Sequence, residues 1–268
     1  MTAAVDVLIP TCERPQALAV TLSGLASQSH DGFRILVSDQ SAQAVADDPL
    51  VAGMRRVLEL HGTEVIIERH VARRGVAENR QHLLELSRAP HVLCLDDDVW
   101  LEPWALERLV DAIDELDCGF VGFAVQGLSY RDDHRPHQLS AYEEWPGRVE
   151  PERVRRGTPA WDRHLLHNAA NPTHLAESLR LEPSDWRAYK VAWIGGCVLY
   201  RRAALLEAGG FSFWPDLPPE HAGEDVVPQL RVMERHGGAG LLPSGAVHLE
   251  LPTTVPHRDV ECYDVVGL

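Results

Sequence analysis

Short β-branched apolar runs alternate with helical patterns through the first 125 residues. Val5–Ile9 reads as a strand, and Pro15 opens a helix in which Leu18, Leu22 and Leu25 recur at helical spacing. Arg34–Ser38 is a second strand, followed by a helical stretch after Pro49 with Met54, Val57 and Leu58. Val65–Glu68 is a third strand. Gly75 opens a helix through Leu83, Leu84 and Leu86 that closes before Pro90. Val92–Leu95 is a fourth strand, and Pro103 starts a helix with Leu106, Leu109, Val110, Ile113 and Leu116 on one side. Phe120–Val125 completes the series as a fifth strand.

Strands and helices in strict alternation predict an α/β chain, with a mostly parallel sheet covered by helices on both faces. Residues 126–185 break the pattern and read as long loops and short helices, rich in Trp, His, Arg and Pro. Periodicity returns with Val191–Ile194, Gly195-Gly196 and the apolar run Cys197–Tyr200. The stretch 224–236 is helical in pattern, and Ala246–Leu249 reads as a last short strand. No repeat or linker separates a second domain.

In an open parallel sheet, ligands bind beyond the carboxyl ends of the strands. Polar clusters stand at three of those ends: Pro10-Thr11-Cys12-Glu13-Arg14, Ser38-Asp39-Gln40-Ser41, and Asp96-Asp97-Asp98. The aspartate triplet follows four apolar residues directly, and its mutual repulsion calls for a bound cation or arginines nearby. Two carboxylates one residue apart suit a hard cation such as Mg²⁺ or Mn²⁺, which also takes phosphate oxygens. A solvated acidic turn is the plainer reading of an isolated D-x-D. Haloacid-dehalogenase-like phosphatases offer a rival chemistry with Asp96 as nucleophile, but the fifth position here is Trp100 rather than Thr or Val.

Composition narrows the classes. The chain has 268 residues and a formal net charge of −15, with no basic run to form a nucleic-acid or anionic-membrane footprint. Lys190 is its only lysine, so a P-loop is excluded. Five scattered cysteines without a C-x-x-C pair fit neither a disulfide framework nor a zinc ribbon. The opening MTAAVDVLIP lacks the pattern of a signal peptide, and no stretch reaches the roughly 20 apolar residues of a membrane helix, which sets the expectation of a cytoplasmic protein.

The motifs taken in order resemble a family 2 glycosyltransferase. VDVLIPTCERPQALAVTLSGLASQ is similar to that family's opening strand, turn and helix. ILVSDQS resembles V-D-D-G-S, with Ser38 in place of the first acid, and RGVAENRQ resembles G-x-A-x-A-R-N, with Gln81 in place of Asn. LDDDV resembles the D-x-D motif, IGGCVLYRRAALLEAGGF the glycine-rich segment, GEDVVPQLRVMERHGG the E-D-x-x-L-x-x-R region, and AVHLE the late strand ending in His.

The resemblance implies a single GT-A domain with a Rossmann-like sheet. It also implies inverting transfer of a sugar from a nucleotide-diphosphate donor to an acceptor hydroxyl. On that reading residues 1–125 are the nucleotide-sugar-binding half and 126–268 the acceptor-binding half of one continuous domain. Asp225, with Glu224 beside it, would be the base, its ionised form favoured by a helix start. Simple helix capping is the plainer role for both. Asp96, Asp98 and His248 would hold Mn²⁺ or Mg²⁺. Pro10, Thr11, Glu13, Arg14, Asp39, Arg80, Asp96 and Asp97 would line the nucleotide site, and Trp193, Gly195 and Gly196 the sugar site. A small molecule, glycan or lipid-linked group remains open as acceptor, as does a catalytically inactive sugar-nucleotide or carbohydrate binder. Asp132-Asp133-His134 with His137, and His164 with His167, read as loop or surface histidines. Trp145, Trp161 and Trp186 read as sugar-stacking or core residues. Asn171-Pro172-Thr173 is no glycosylation site, because Pro fills its middle position.

Overall fold

The computed structural model describes residues 3–182, 184–253 and 259–267. Along the chain the elements are β1 (Val5–Thr11), α1 (Pro15–Ala26), β2 (Phe33–Asp39), α2 (Pro49–Leu60), β3 (Val65–Arg69), α3 (Val76–Leu86) and β4 (His91–Leu95). Then come β5 (Val99–Leu101), α4 (Ala105–Glu115), β6 (Phe120–Gly122), α5 (Pro136–Leu139), α6 (Asn171–Ser178), β7 (Arg187–Tyr189) and β8 (Cys197–Arg201). The last elements are α7 (Arg202–Glu207), α8 (Val226–His236), β9 (Gly238–Leu242), β10 (Ala246–His248) and α9 (Cys262–Val266).

Eight strands form one sheet in the order β3-β2-β1-β4-β8-β6-β9-β7. The pairs β3–β2, β2–β1, β1–β4 and β6–β9 are parallel, whereas β8 and β7 run against their neighbours. Alternate residues of the central strands face opposite sides, as the pleat requires. Val5, Val7, Ile9, Leu93 and Leu95 pack with Leu18 and Leu22 of α1 and Leu106, Leu109 and Ile113 of α4. Leu8, Leu36, Val92 and Cys94 pack on the other face with Leu83 and Leu84 of α3 and Leu230 and Met233 of α8. Each fully buried leucine contributes about 1.5–3 kcal/mol. Two covered faces explain why these strands read as apolar runs rather than alternating ones. Among the described residues no helix is long and apolar enough to cross a membrane, and all five cysteines are free thiols.

Two predicted strands end early, and the apolar run Val191–Ile194 forms no strand. The strand read over Phe120–Val125 ends at Gly122 and is not β4's neighbour, because β8 lies between them, antiparallel to both. Val191, Ala192 and Ile194 are buried without forming a strand: Gln229 of α8 takes the partner's place, accepting from the Ile194 N–H at 2.8 Å and donating to its carbonyl at 2.7 Å. Arg187–Tyr189 pairs with β9 instead. The final strand stops at His248 and pairs with β5, a short strand directly after the aspartates.

Candidate active site

The carboxyl ends of β1, β2 and β4 open onto a cleft of about 770 Å³, closed opposite by Gly195–Gly196 and the loop leading to Asp225. Topology sets this convergence. Leu95 at the end of β4 is in register with Cys197 at the start of antiparallel β8, so the glycines before Cys197 arrive where the aspartates begin. Asp96 N–H donates to the Gly196 carbonyl at 2.9 Å.

The three aspartates turn to different partners. The Asp96 carboxylate accepts from Arg80 Nη2. Asp97, only 7% exposed, accepts the Thr11 hydroxyl at 2.6 Å. Asp98 accepts from Arg14 Nη1 at 2.7 Å, and His248 Nε2 lies 3.5 Å from it. Burial raises the pKa of Asp97 to about 6 despite the Thr11 hydrogen bond. Burial also opposes ionisation of Asp98, yet His248 and Arg14 together hold it below the ordinary carboxylate value. The charge repulsion of the triplet is therefore relieved by two arginines, Arg14 and Arg80.

Arg80 is the central cation of the far wall. Its Nε donates to Glu224 at 2.9 Å while Nη2 holds Asp96. Burial works against the charged guanidinium, but the surrounding carboxylates raise its pKa well above its ordinary value. Asp225 follows Glu224 at the start of α8. A helix start favours an ionised carboxylate, but here burial, then the charge of Glu224, prevail and raise Asp225 to about 8.

The remaining expected residues divide. Pro10, Arg14, Gly195 and Gly196 line the cleft. Glu13 sits on the rim with φ 58°, half-exposed, and its carboxylate accepts the Ala42 N–H at 2.7 Å and Arg73. Asp39 lies outside the cleft lining: it accepts the N–H groups of Ser41 at 2.8 Å and Val45 at 2.9 Å, plus Arg69, and so shapes the loop after β2. Trp193 also stands outside, stacked on His164 with centroids 5.0 Å apart and tilted against Trp161. Gln40, whose amide donates to Glu78 at 3.3 Å, lines the cleft in the place expected for Asp39. Gln229 carries no recognisable motif, and its signal is a polar residue on the apolar face of a helix pattern.

The donor set fits a hard divalent cation. Among the described residues, Asp96 Oδ2 and Asp98 Oδ1 accept no protein hydrogen bond, and six carboxylates line the cleft against Arg14, Arg73 and Arg80. No group of three His, Cys, Asp or Glu side chains is gathered to hold a metal among those residues, so phosphate oxygens and water would complete its coordination. His248 Nδ1 accepts the Glu250 N–H at 3.0 Å, which leaves the proton on Nε2, facing Asp98. In this tautomer His248 steadies Asp98 and offers a cation no lone pair.

A model of the family described as "Glycosyl transferase family 2" matches residues 6–172, more than half of the chain. The chain belongs to glycosyl transferase family 2. Its fold is similar to that of S. aureus TarS, at 16% identity over 92% of this chain and 36% of that one, with a TM-score of 0.54. It is similar to TarS 1-349 in complex with UDP-GlcNAc, at 15% identity, 95% and 60% coverage and a TM-score of 0.56. A mannosyltransferase, PcManGT from Pyrobaculum calidifontis in complex with GDP-Man and Mn²⁺, aligns at 17% identity, 90% and 57% coverage and a TM-score of 0.51. No curated protein matches. The chain thus spans between about a third and 60% of the length of these structures, and identities this low show a shared fold alone. Family membership displaces the phosphatase alternative, and the geometry agrees: Lys190 pairs with Glu143 at 2.8 Å, beyond the cleft lining.

Proposed function

We propose that this family 2 chain is a metal-dependent, inverting glycosyltransferase acting on a nucleotide-diphosphate sugar. The observation that carries the reading is a pair of carboxylates flanking two bare glycines. A β-carbon built on Gly195 would lie 3.5 Å from Asp225 Oδ2, and one on Gly196 would lie 3.3 Å from Asp96 Oδ2. Gly196 also has φ +79°, which side chains avoid. A sugar can therefore rest on backbone, with a base on one side and the diphosphate subsite on the other.

On this reading Asp225 takes the proton of the acceptor hydroxyl as its oxygen bonds to the anomeric carbon. The bond from that carbon to the diphosphate breaks on the opposite face, its electron pair leaving with the nucleotide. Arg14 lies beside the leaving group, and Arg80 fixes Glu224 and Asp96 on either side of the reacting centre. A cation held by Asp96 and Asp98 would neutralise charge developing on the diphosphate. His248 holds Asp98 in place. UDP-GlcNAc and GDP-Man accompany two of the similar structures, which leaves the base open for this chain. A small molecule, glycan or lipid-linked group with a free hydroxyl is the acceptor.

A thermal-shift screen of UDP, dTDP, GDP, CDP and ADP, each with and without Mn²⁺, tests the reading. A rise with one nucleotide that requires Mn²⁺ supports it, and hydrolysis of the matching nucleotide sugar completes it. No shift with any of the five, and no turnover of their sugars, overturns it.

A further inference from the structure

We infer that His221 is a positioning residue that caps α3 from another part of the chain and registers Glu224–Asp225 against Arg80. The inference rests on the transferase reading for its kinetic consequence but not for its geometry. His221 is 1% exposed. Its Nε2 accepts the N–H of Ala77 at 3.2 Å, and its Nδ1 lies 2.7 Å from the Pro218 carbonyl. A carbonyl only accepts, so the proton resides on Nδ1 and the lone pair on Nε2. One tautomer satisfies both contacts.

α3 has no side-chain cap of its own, because Gly75 stands at the capping position with φ +102°. Helix starts carry backbone N–H groups without intrahelical partners, and His221 supplies an acceptor for one of them. Gly75 also makes room for the donor loop. A β-carbon there would fall 2.4 Å from His221 Cε1 and 2.7 Å from the Pro219 carbonyl.

The arrangement reaches the proposed base within a few residues. Arg80, three residues beyond Ala77 on α3, holds Glu224, and Asp225 comes next. The loop is thus attached to one helix twice, at the Ala77 N–H and at the Arg80 guanidinium. On its other side Ala222 exchanges hydrogen bonds with Val260 at 3.0 Å and Cys262 at 2.9 Å. Among the described residues, Arg80 alone holds the end of the Glu224 side chain. His221 fixes the path of the backbone from which Glu224 and Asp225 project. Misplacement of a catalytic group by about 1 Å costs on the order of 100-fold in rate.

His221→Phe removes both ring contacts at similar shape, and His221→Gln returns an oxygen acceptor. Amide exchange at Ala77, ring ¹⁵N shifts of His221, and kcat and KM for the nucleotide sugar are read together. In His221→Phe the Ala77 amide should lose protection and kcat should fall about 10- to 100-fold, with KM within about twofold. His221→Gln should recover most of both. If the phenylalanine variant does not fold, Gly75→Ala displaces the ring and carries the same expectation.

A His221 proton on Nε2, unchanged Ala77 exchange, or an unchanged kcat after loss of that protection overturns the inference. The ring and exchange signals need no reaction, so they separate the two ideas. An intact cap in a chain that turns over no nucleotide sugar sinks the transferase reading, and the kinetic role of His221 with it. A wrong tautomer in an active transferase sinks the cap alone.

Discussion

Arg80 Nε lies 2.9 Å from Glu224 Oε1 while Nη2 of the same guanidinium holds Asp96, so one side chain of α3 joins the aspartate motif to the start of α8. Arg80 is 5% exposed. Its removal leaves Glu224, whose side chain is 11% exposed, without its partner, and breaking a buried pair typically costs about 3–5 kcal/mol. Arg80→Ala is expected to lose stability of that order in urea unfolding. Arg80→Lys should recover only part, because an ammonium cannot present a planar fork to both acids. A loss below about 1 kcal/mol for the alanine variant would show that the pairing is not structural.

Asp225→Asn preserves shape and removes the proposed base. A positioned general base contributes about 10²- to 10⁴-fold, so kcat should fall within that range while the nucleotide-induced thermal shift persists. If nucleotide binding is lost instead, Asp225 belongs to the donor site.

The raised pKa of Asp225 gives two pH signatures. As a base it must be ionised, so kcat should climb with pH and level off above about 8. For stability the sign is opposite. Between the ordinary value of 3.8 and about 8, the folded chain keeps a proton that the unfolded chain has released. The contribution of Asp225 to stability is therefore fully present below 3.8, declines across that window, and is gone above about 8. Asp97, raised to about 6, adds to the lower part of this decline. Melting curves from pH 5 to 9 should show a shallower fall in Asp225→Asn than in the parent chain. Parallel profiles would contradict the assignment.

Asp98→Ala takes away the carboxylate that Arg14 and His248 share. The Mn²⁺-dependent part of the nucleotide thermal shift should disappear, whereas any metal-independent part should survive. A variant that keeps the full Mn²⁺ response would place the cation elsewhere.

The N-terminal elements were legible because each carries its own local signal. Pro15 and Pro49 mark helix starts, and β1, β2 and β4 are apolar through their middles because both sheet faces are covered. Motif and strand position singled out Asp96, Asp98 and Asp225, and the fold brings all three to one cleft. What escaped depends on the direction a side chain takes after its strand ends. Asp39 turns back into its own loop to accept N–H groups, leaving Gln40 to face the cleft. Trp193 joins His164 and Trp161, from a stretch too irregular for periodicity to reach. Gln229 stands as a polar residue on the apolar face of its helix, but the pattern does not name its partner. Only the folded chain shows that Ile194 needs it.

The reversed strand β8 has a consequence for how the chain assembles. β4 and β6 are hydrogen-bonded to β8 on either side rather than to each other, so the centre of the sheet stays split until residues 197–201 are available. Contacts this distant in sequence form slowly. The same insertion delivers Gly195 and Gly196 to Asp96, so joining the two parts of the sheet and building the cleft are a single event. A chain that ends before Cys197 lacks the strand that joins β4 to β6 and the glycines that close the cleft over Asp96.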